Sequence, residues 1–110
     1  MAGILMGRFD IYRNPGKSKQ TIPYLLDVQS DSISGLATRI VIPLRSLEIF
    51  QVVQPPADLC PVIQVEGKDY FLDTAQLGAI PVKELKDYVD SAQGSQLRIV
   101  AALDKVFGAY

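Results

Sequence analysis

The side chains best suited to chemistry in this chain are Asp27, Asp31 and Asp73, with Arg39 set among them and a single cysteine, Cys60. Two carboxylates held together can divide acid and base work between them. The spacing does not bring these three together, however, and each reads more simply as a strand-edge or turn residue. Arg39 falls where a neighbouring strand would carry it opposite Asp27 or Asp31, which favours a cross-strand ion pair over contact with a partner. Cys60 has neither a His nor a second Cys beside it, so a buried structural thiol is expected rather than a nucleophile or ligand. The chain has no His, which removes the commonest metal ligand and the usual general base. Phosphate-binding, dinucleotide-binding and nucleophile-elbow motifs are missing, as is any metal-ligand spacing. These residues point to no cofactor, no metal and no enzymatic activity.

The elements that must position these groups are organised around residues 24–44, YLLDVQSDSISGLATRIVIPL. Leu26 and Val28 alternate with Asp27 and Gln29, and Ile40, Ile42 and Leu44 repeat that period of two, as half-buried strands do. Residues 30–38 between them are rich in Ser, Asp and Gly, which turn the chain by bonding their own backbone. A broad antiparallel hairpin is expected. Before it, Phe9 and Ile11 mark a first strand that Asn14-Pro15-Gly16 breaks, and Lys17 and Lys19 sit in a polar tip expected to be solvated. After it, residues 45–53 read as strand or short helix up to Pro55-Pro56, and residues 60–72 as a second hairpin turning at Glu66-Gly67-Lys68-Asp69. Residues 83–92 fit either a helical face or an extended connection. Ser95 then offers an N-cap to a helix in which Ile99, Leu103, Val106, Phe107 and Tyr110 recur at helical spacing, with Gly108 able to end it.

A chain of 110 residues is expected to form one domain across residues 1–110, with residues 1–6 a flexible leader. Lys and Arg number 11 against 12 for Asp and Glu, so no basic excess favours a phosphate backbone and direct nucleic-acid binding is not expected. No apolar run approaches the roughly 20 residues of a membrane span. The single cysteine fits a reducing compartment, and a cytoplasmic protein is the expectation.

Several of these stretches resemble the CcdB family of toxins from toxin–antitoxin modules. The matching pieces are Asp27-Val28-Gln29-Ser30-Asp31, Arg39, Val41-Ile42-Pro43-Leu44, Ile80-Pro81-Val82 and Ala101-Ala102-Leu103-Asp104. The resemblance implies a mainly β fold with a C-terminal α-helix, an SH3-like barrel of the CcdB/MazF type. It also implies a homodimer, with Ala101 and Ala102 letting the two C-terminal helices approach closely. Its target would be the DNA gyrase A subunit, trapped together with cleaved DNA, and a CcdA-like antitoxin would neutralise it.

Carried over on the matching positions, the gyrase-binding residues would be Ser32, Ile33 and Ser34 in the turn, with Asp104, Phe107, Gly108, Ala109 and Tyr110 at the helix end. Family poisons can end in Phe-Trp-Gly-Ile, whereas this chain ends in Phe-Gly-Ala-Tyr and contains no Trp. Phe107 and Tyr110 are then the aromatic groups available to replace that anchor. The alternative is an endoribonuclease toxin similar to MazF, which shares the architecture.

Overall fold

The computed structural model describes residues 7–31, 35–48 and 56–108. The expected leader over residues 1–6 lies outside them, as do Ser32, Ile33, Ser34, Ala109, Tyr110 and most of the 45–53 run. Seven strands and one α-helix make up the described chain: β1 (Asp10–Arg13), β2 (Tyr24–Asp27), β3 (Thr38–Ser46), β4 (Val62–Val65), β5 (Lys68–Leu72), β6 (Gly78–Pro81), β7 (Tyr88–Ser91) and α1 (Gln96–Phe107). The strands form one sheet in the order β4-β5-β3-β2-β1-β7, with β6 also on β3. It is a curled, mainly β half-barrel closed by a C-terminal helix, as expected.

The central hairpin is in place, with Tyr24 opposite Leu44 and Asp27 opposite Val41. β3 is long enough to take two partners on its other edge: Leu44–Ser46 pair with β5 and Thr38–Val41 with β6. Pro43, which has no N–H to give, falls in the gap between those two ladders. Its carbonyl accepts the Asp73 N–H at 3.0 Å.

The second hairpin turns on Glu66 and Gly67, whose φ angles of 51° and 81° are both left-handed. That pair of signs matches the twist of the flanking strands, which is why two residues suffice. Glu66 then reaches across the curl, accepting the Tyr24 hydroxyl and pairing with Arg13 at 3.2 Å. Tyr24 in turn meets the Tyr70 ring edge-on at 5.1 Å. These contacts draw the β4–β5 end toward β1 and β2 and hold the curl.

One face of the sheet buries Ile11, Leu26, Ile42, Leu44, Val65 and Leu72 against Ile99 of the helix. The other carries a smaller cluster of Tyr12, Leu25, Val41 and Leu85, flanked by Ile22 and Ile80. β2 is therefore covered on both sides. The polar alternates here do not face water as the period of two suggests: Asp27, at the end of β2, and Gln29, just beyond it, are buried. Residues 83–92, open in sequence between helix and extension, form a 3₁₀ turn over Val82–Glu84 and then β7, which pairs with β1.

The helix begins after a 3₁₀ turn at Gln93–Ser95, and Ser95 makes no side-chain cap bond. Its hydroxyl oxygen instead accepts from Arg98 at 3.1 Å. At the other end Gly108 takes a φ of 69° and its N–H bonds the Asp104 carbonyl, the left-handed stop that favours glycine.

Candidate functional site

Arg39 lies at the centre of the buried polar residues. Its Nε donates to Asp27 Oδ2 at 2.8 Å and its Nη2 to Asp27 Oδ1 at 3.0 Å, with Asp31 Oδ1 at 3.9 Å. The cross-strand pair foreseen in the sequence is present. Burial pushes the Asp27 carboxyl above its ordinary value of 3.8, against the opposing pull of Arg39 and of the Gln29 N–H. The Gln29 N–H donates to Asp27 Oδ1 at 3.0 Å, and the Gln29 side-chain oxygen accepts the Ile40 N–H at 3.1 Å. Buried polar groups of this kind are tolerable because each finds a partner. Together they lock the chain leaving β2 onto the start of β3, fixing where Ser30 and Asp31 emerge.

The start of β1 is tied to the same place. Phe9 adopts a φ of 75°, its N–H bonding the Asp27 carbonyl and its carbonyl accepting from Ala92. A left-handed backbone is rare for an aromatic residue, and here it sends the Phe9 ring into the core while Arg8 stays at the surface. The Arg8 N–H donates to Asp31 Oδ1 at 2.9 Å, its Nε donates to the Val28 carbonyl at 3.0 Å, and its guanidinium lies 4.9 Å over the Phe9 ring.

These anchored residues form one wall of a cleft of about 350 Å³. Arg8, Val28 and Ser30 stand on one side, Ile40 and Leu77 form part of the lining, and Leu103, Asp104 and Phe107 come from α1. Leu103 is half-buried, whereas Phe107 is 67% exposed. An exposed phenylalanine at the rim of an apolar cleft suits the capture of a partner's side chain.

The sequence-derived residues divide as follows. Asp104 and Phe107 come to the cleft, and Gly108 caps the helix beside them. Ser32, Ile33 and Ser34 follow Asp31 and lie outside the described residues, as do Ala109 and Tyr110. Ala101 is exposed and lines a separate hollow with Pro61, Val62 and Arg98, next to Leu97, which is 86% exposed. Ala102 is wholly covered by its own chain.

Asp73 stands apart from Asp27 and Asp31, its Oδ2 2.7 Å from Arg45 Nε. Cys60 is buried, and burial pushes its thiol above 9.0. Arg8 was not singled out from the sequence, since only the Phe9 backbone turn brings it to the cleft. Among the described residues no group of His, Cys, Asp and Glu is arranged to hold a metal ion, and no helix is long and apolar enough to cross a membrane.

Comparison with known proteins places this geometry in context. A family model described as "CcdB protein" matches residues 8–108. No curated protein matches the sequence. Among solved structures, an endoribonuclease from a mycobacterial species, in complex with its cognate antitoxin, superposes with a TM-score of 0.76 at 14% identity, covering 96% of this chain and 98% of its own. A second mycobacterial endoribonuclease gives 0.71 at 14% identity, covering 98% and 96%. These likenesses overturn the expectation of no enzymatic activity. Endoribonucleases are built on this same fold, so the lack of His and of familiar motifs does not argue against catalysis.

Proposed function

Because the chain belongs to the CcdB family of toxins of toxin–antitoxin modules, we propose that it acts in the cytoplasm on the DNA gyrase A subunit, trapping gyrase with cleaved DNA until a cognate, CcdA-like antitoxin removes it. The observation that carries this reading is the cleft where Phe107 and Asp104 of the helix end meet the chain leaving β2. The family resemblance assigns target contacts to Asp104 and Phe107 and to Ser32, Ile33 and Ser34, which follow that chain in sequence. Ser32, Ile33 and Ser34, with Gly108, Ala109 and Tyr110, are the other residues proposed to contact the target. The toxin would work as a homodimer joined near the exposed stripe of Leu97 and Ala101.

A second reading, an endoribonuclease, is favoured by the fold likeness to the mycobacterial proteins. Calorimetric titration of the purified protein with the gyrase A subunit, alongside incubation with RNA, separates the two. Heat of binding with intact RNA supports the gyrase reading; cleaved RNA without binding heat supports the other.

A further inference from the structure

We infer that Arg8 makes the cleft selective for a partner segment in which a carboxylate adjoins a large apolar side chain, and that its occupant is a segment of the cognate antitoxin. This rests on reading the cleft as a partner-binding surface. The lining is largely apolar, through Val28, Ile40, Leu77, Leu103 and Phe107, yet it includes a guanidinium. Among the described residues that guanidinium makes no ion pair; its Nε is used on the Val28 carbonyl and its central carbon lies 4.9 Å over the Phe9 ring. A guanidinium held through Nε and a ring face keeps its orientation while its two terminal nitrogens remain to bind, and such a fork suits a carboxylate. Desolvation beside apolar walls strengthens that contact.

Two further charges border the cleft, Asp104 on the helix and Asp31, whose Oδ1 accepts the Arg8 N–H. Asp104 disfavours a second carboxylate on the helix side. It thereby fixes the direction of the segment, acid toward Arg8 and a neutral or basic residue toward Asp104. A cleft of about 350 Å³ admits one or two side chains, which suits an extended segment that orders as it binds.

The test titrates the full chain and its variants with the recombinant antitoxin encoded beside it, at low and moderate salt. Arg8→Gln removes the charge while its amide can still donate to the Val28 carbonyl, and Arg8→Glu reverses the charge near Asp31 and Asp104. Urea unfolding of both variants therefore accompanies the titration, and a merely structural role shows there as lost stability in proportion to lost affinity. Carboxylate recognition makes Glu the worse of the two. The expected result is a loss of about ten- to a hundredfold in affinity for Arg8→Gln, a larger loss for Arg8→Glu, a weaker salt dependence in the Gln variant, and no change for Lys17→Gln in the exposed polar tip. Equal affinities for Gln and Glu overturn the inference. If Phe107→Ala still weakens antitoxin binding in that case, the cleft reading survives; if it is silent toward both the antitoxin and the gyrase A subunit, both readings fall. A loss of affinity for the gyrase A subunit without one for the antitoxin overturns the choice of occupant.

Discussion

Arg39 grips Asp27 with two nitrogens, Nε to Oδ2 at 2.8 Å and Nη2 to Oδ1 at 3.0 Å, with both side chains almost completely buried. Two charges taken out of water gain little over an apolar pair, yet removing one leaves the other buried and unpaired. Asp27→Ala or Arg39→Ala should each cost about 3–5 kcal/mol. The pair of substitutions together should cost clearly less than their sum. Urea unfolding of the four proteins measures this, and additive losses would contradict the coupling.

The clasp of Tyr24 on Glu66 makes stability depend on pH at both extremes. Burial, with the bond to Glu66, raises the Tyr24 hydroxyl from 10.0 to about 12, and burial raises Tyr12 to about 12 as well. Below pH 10 the folded and unfolded chains both keep these protons and the stabilisation is complete. Between 10 and 12 only the folded chain keeps them, so stability should fall as pH rises through that range. Tyr24→Phe should reduce that slope, leaving the share of Tyr12 and that of Tyr88, whose hydroxyl burial also raises. Tyrosinate absorbance should show Tyr12 and Tyr24 titrating near 12.

At the acid end, the Tyr24 hydroxyl and then Arg13 hold the Glu66 carboxyl below 4.5. That contribution is present above pH 4.5 and should be lost as pH falls through the depressed value. Glu66→Gln should flatten the acid limb of a thermal-melt series while leaving the alkaline limb sloping.

The hairpins, the helix and the Arg39 pairing were legible in the sequence because each rests on local spacing: the period of two in Leu26 and Val28, the turn expected over Glu66-Gly67-Lys68-Asp69, of which Lys68 and Asp69 already belong to β5, and the run ending at Gly108. Residues 83–92 were not, because β7 exists only through pairing with β1, a contact distant in sequence. Asp27 and Gln29 read as a solvated face because the sequence does not show that Tyr12 and Leu85 cover that side. Arg8 escaped notice because its place depends on the left-handed Phe9 backbone, which no residue type there announces. Ala101 and Ala102 looked equivalent as small residues, and only the rotation of the helix on the sheet separates an exposed one from a buried one.

That separation sets the next expectation. Ala101→Glu together with Leu97→Glu should halve the mass seen by light scattering and keep the melting temperature. Ala102→Glu should instead unfold the chain, since it places a charge where no partner or water reaches. A monomer mass for the unmodified protein at micromolar concentration would count against the homodimer.

Gly108 ends the helix at a φ of 69° with open space about it. Gly108→Val should cost about 1–2 kcal/mol through the left-handed backbone alone, and Gly108→Asn less. If the helix end presents the binding residues, both should weaken gyrase binding more than they lower stability. Calorimetry beside denaturant unfolding compares the two effects.

The most direct measurement is of DNA cleaved by gyrase. Purified gyrase and supercoiled DNA, given ATP and this protein and then denatured, should yield linear DNA that rises with protein concentration. Phe107→Ala should abolish the rise while keeping the fold, and the cognate antitoxin should reverse it. No linear DNA at any concentration, with added RNA cut instead, would contradict the account.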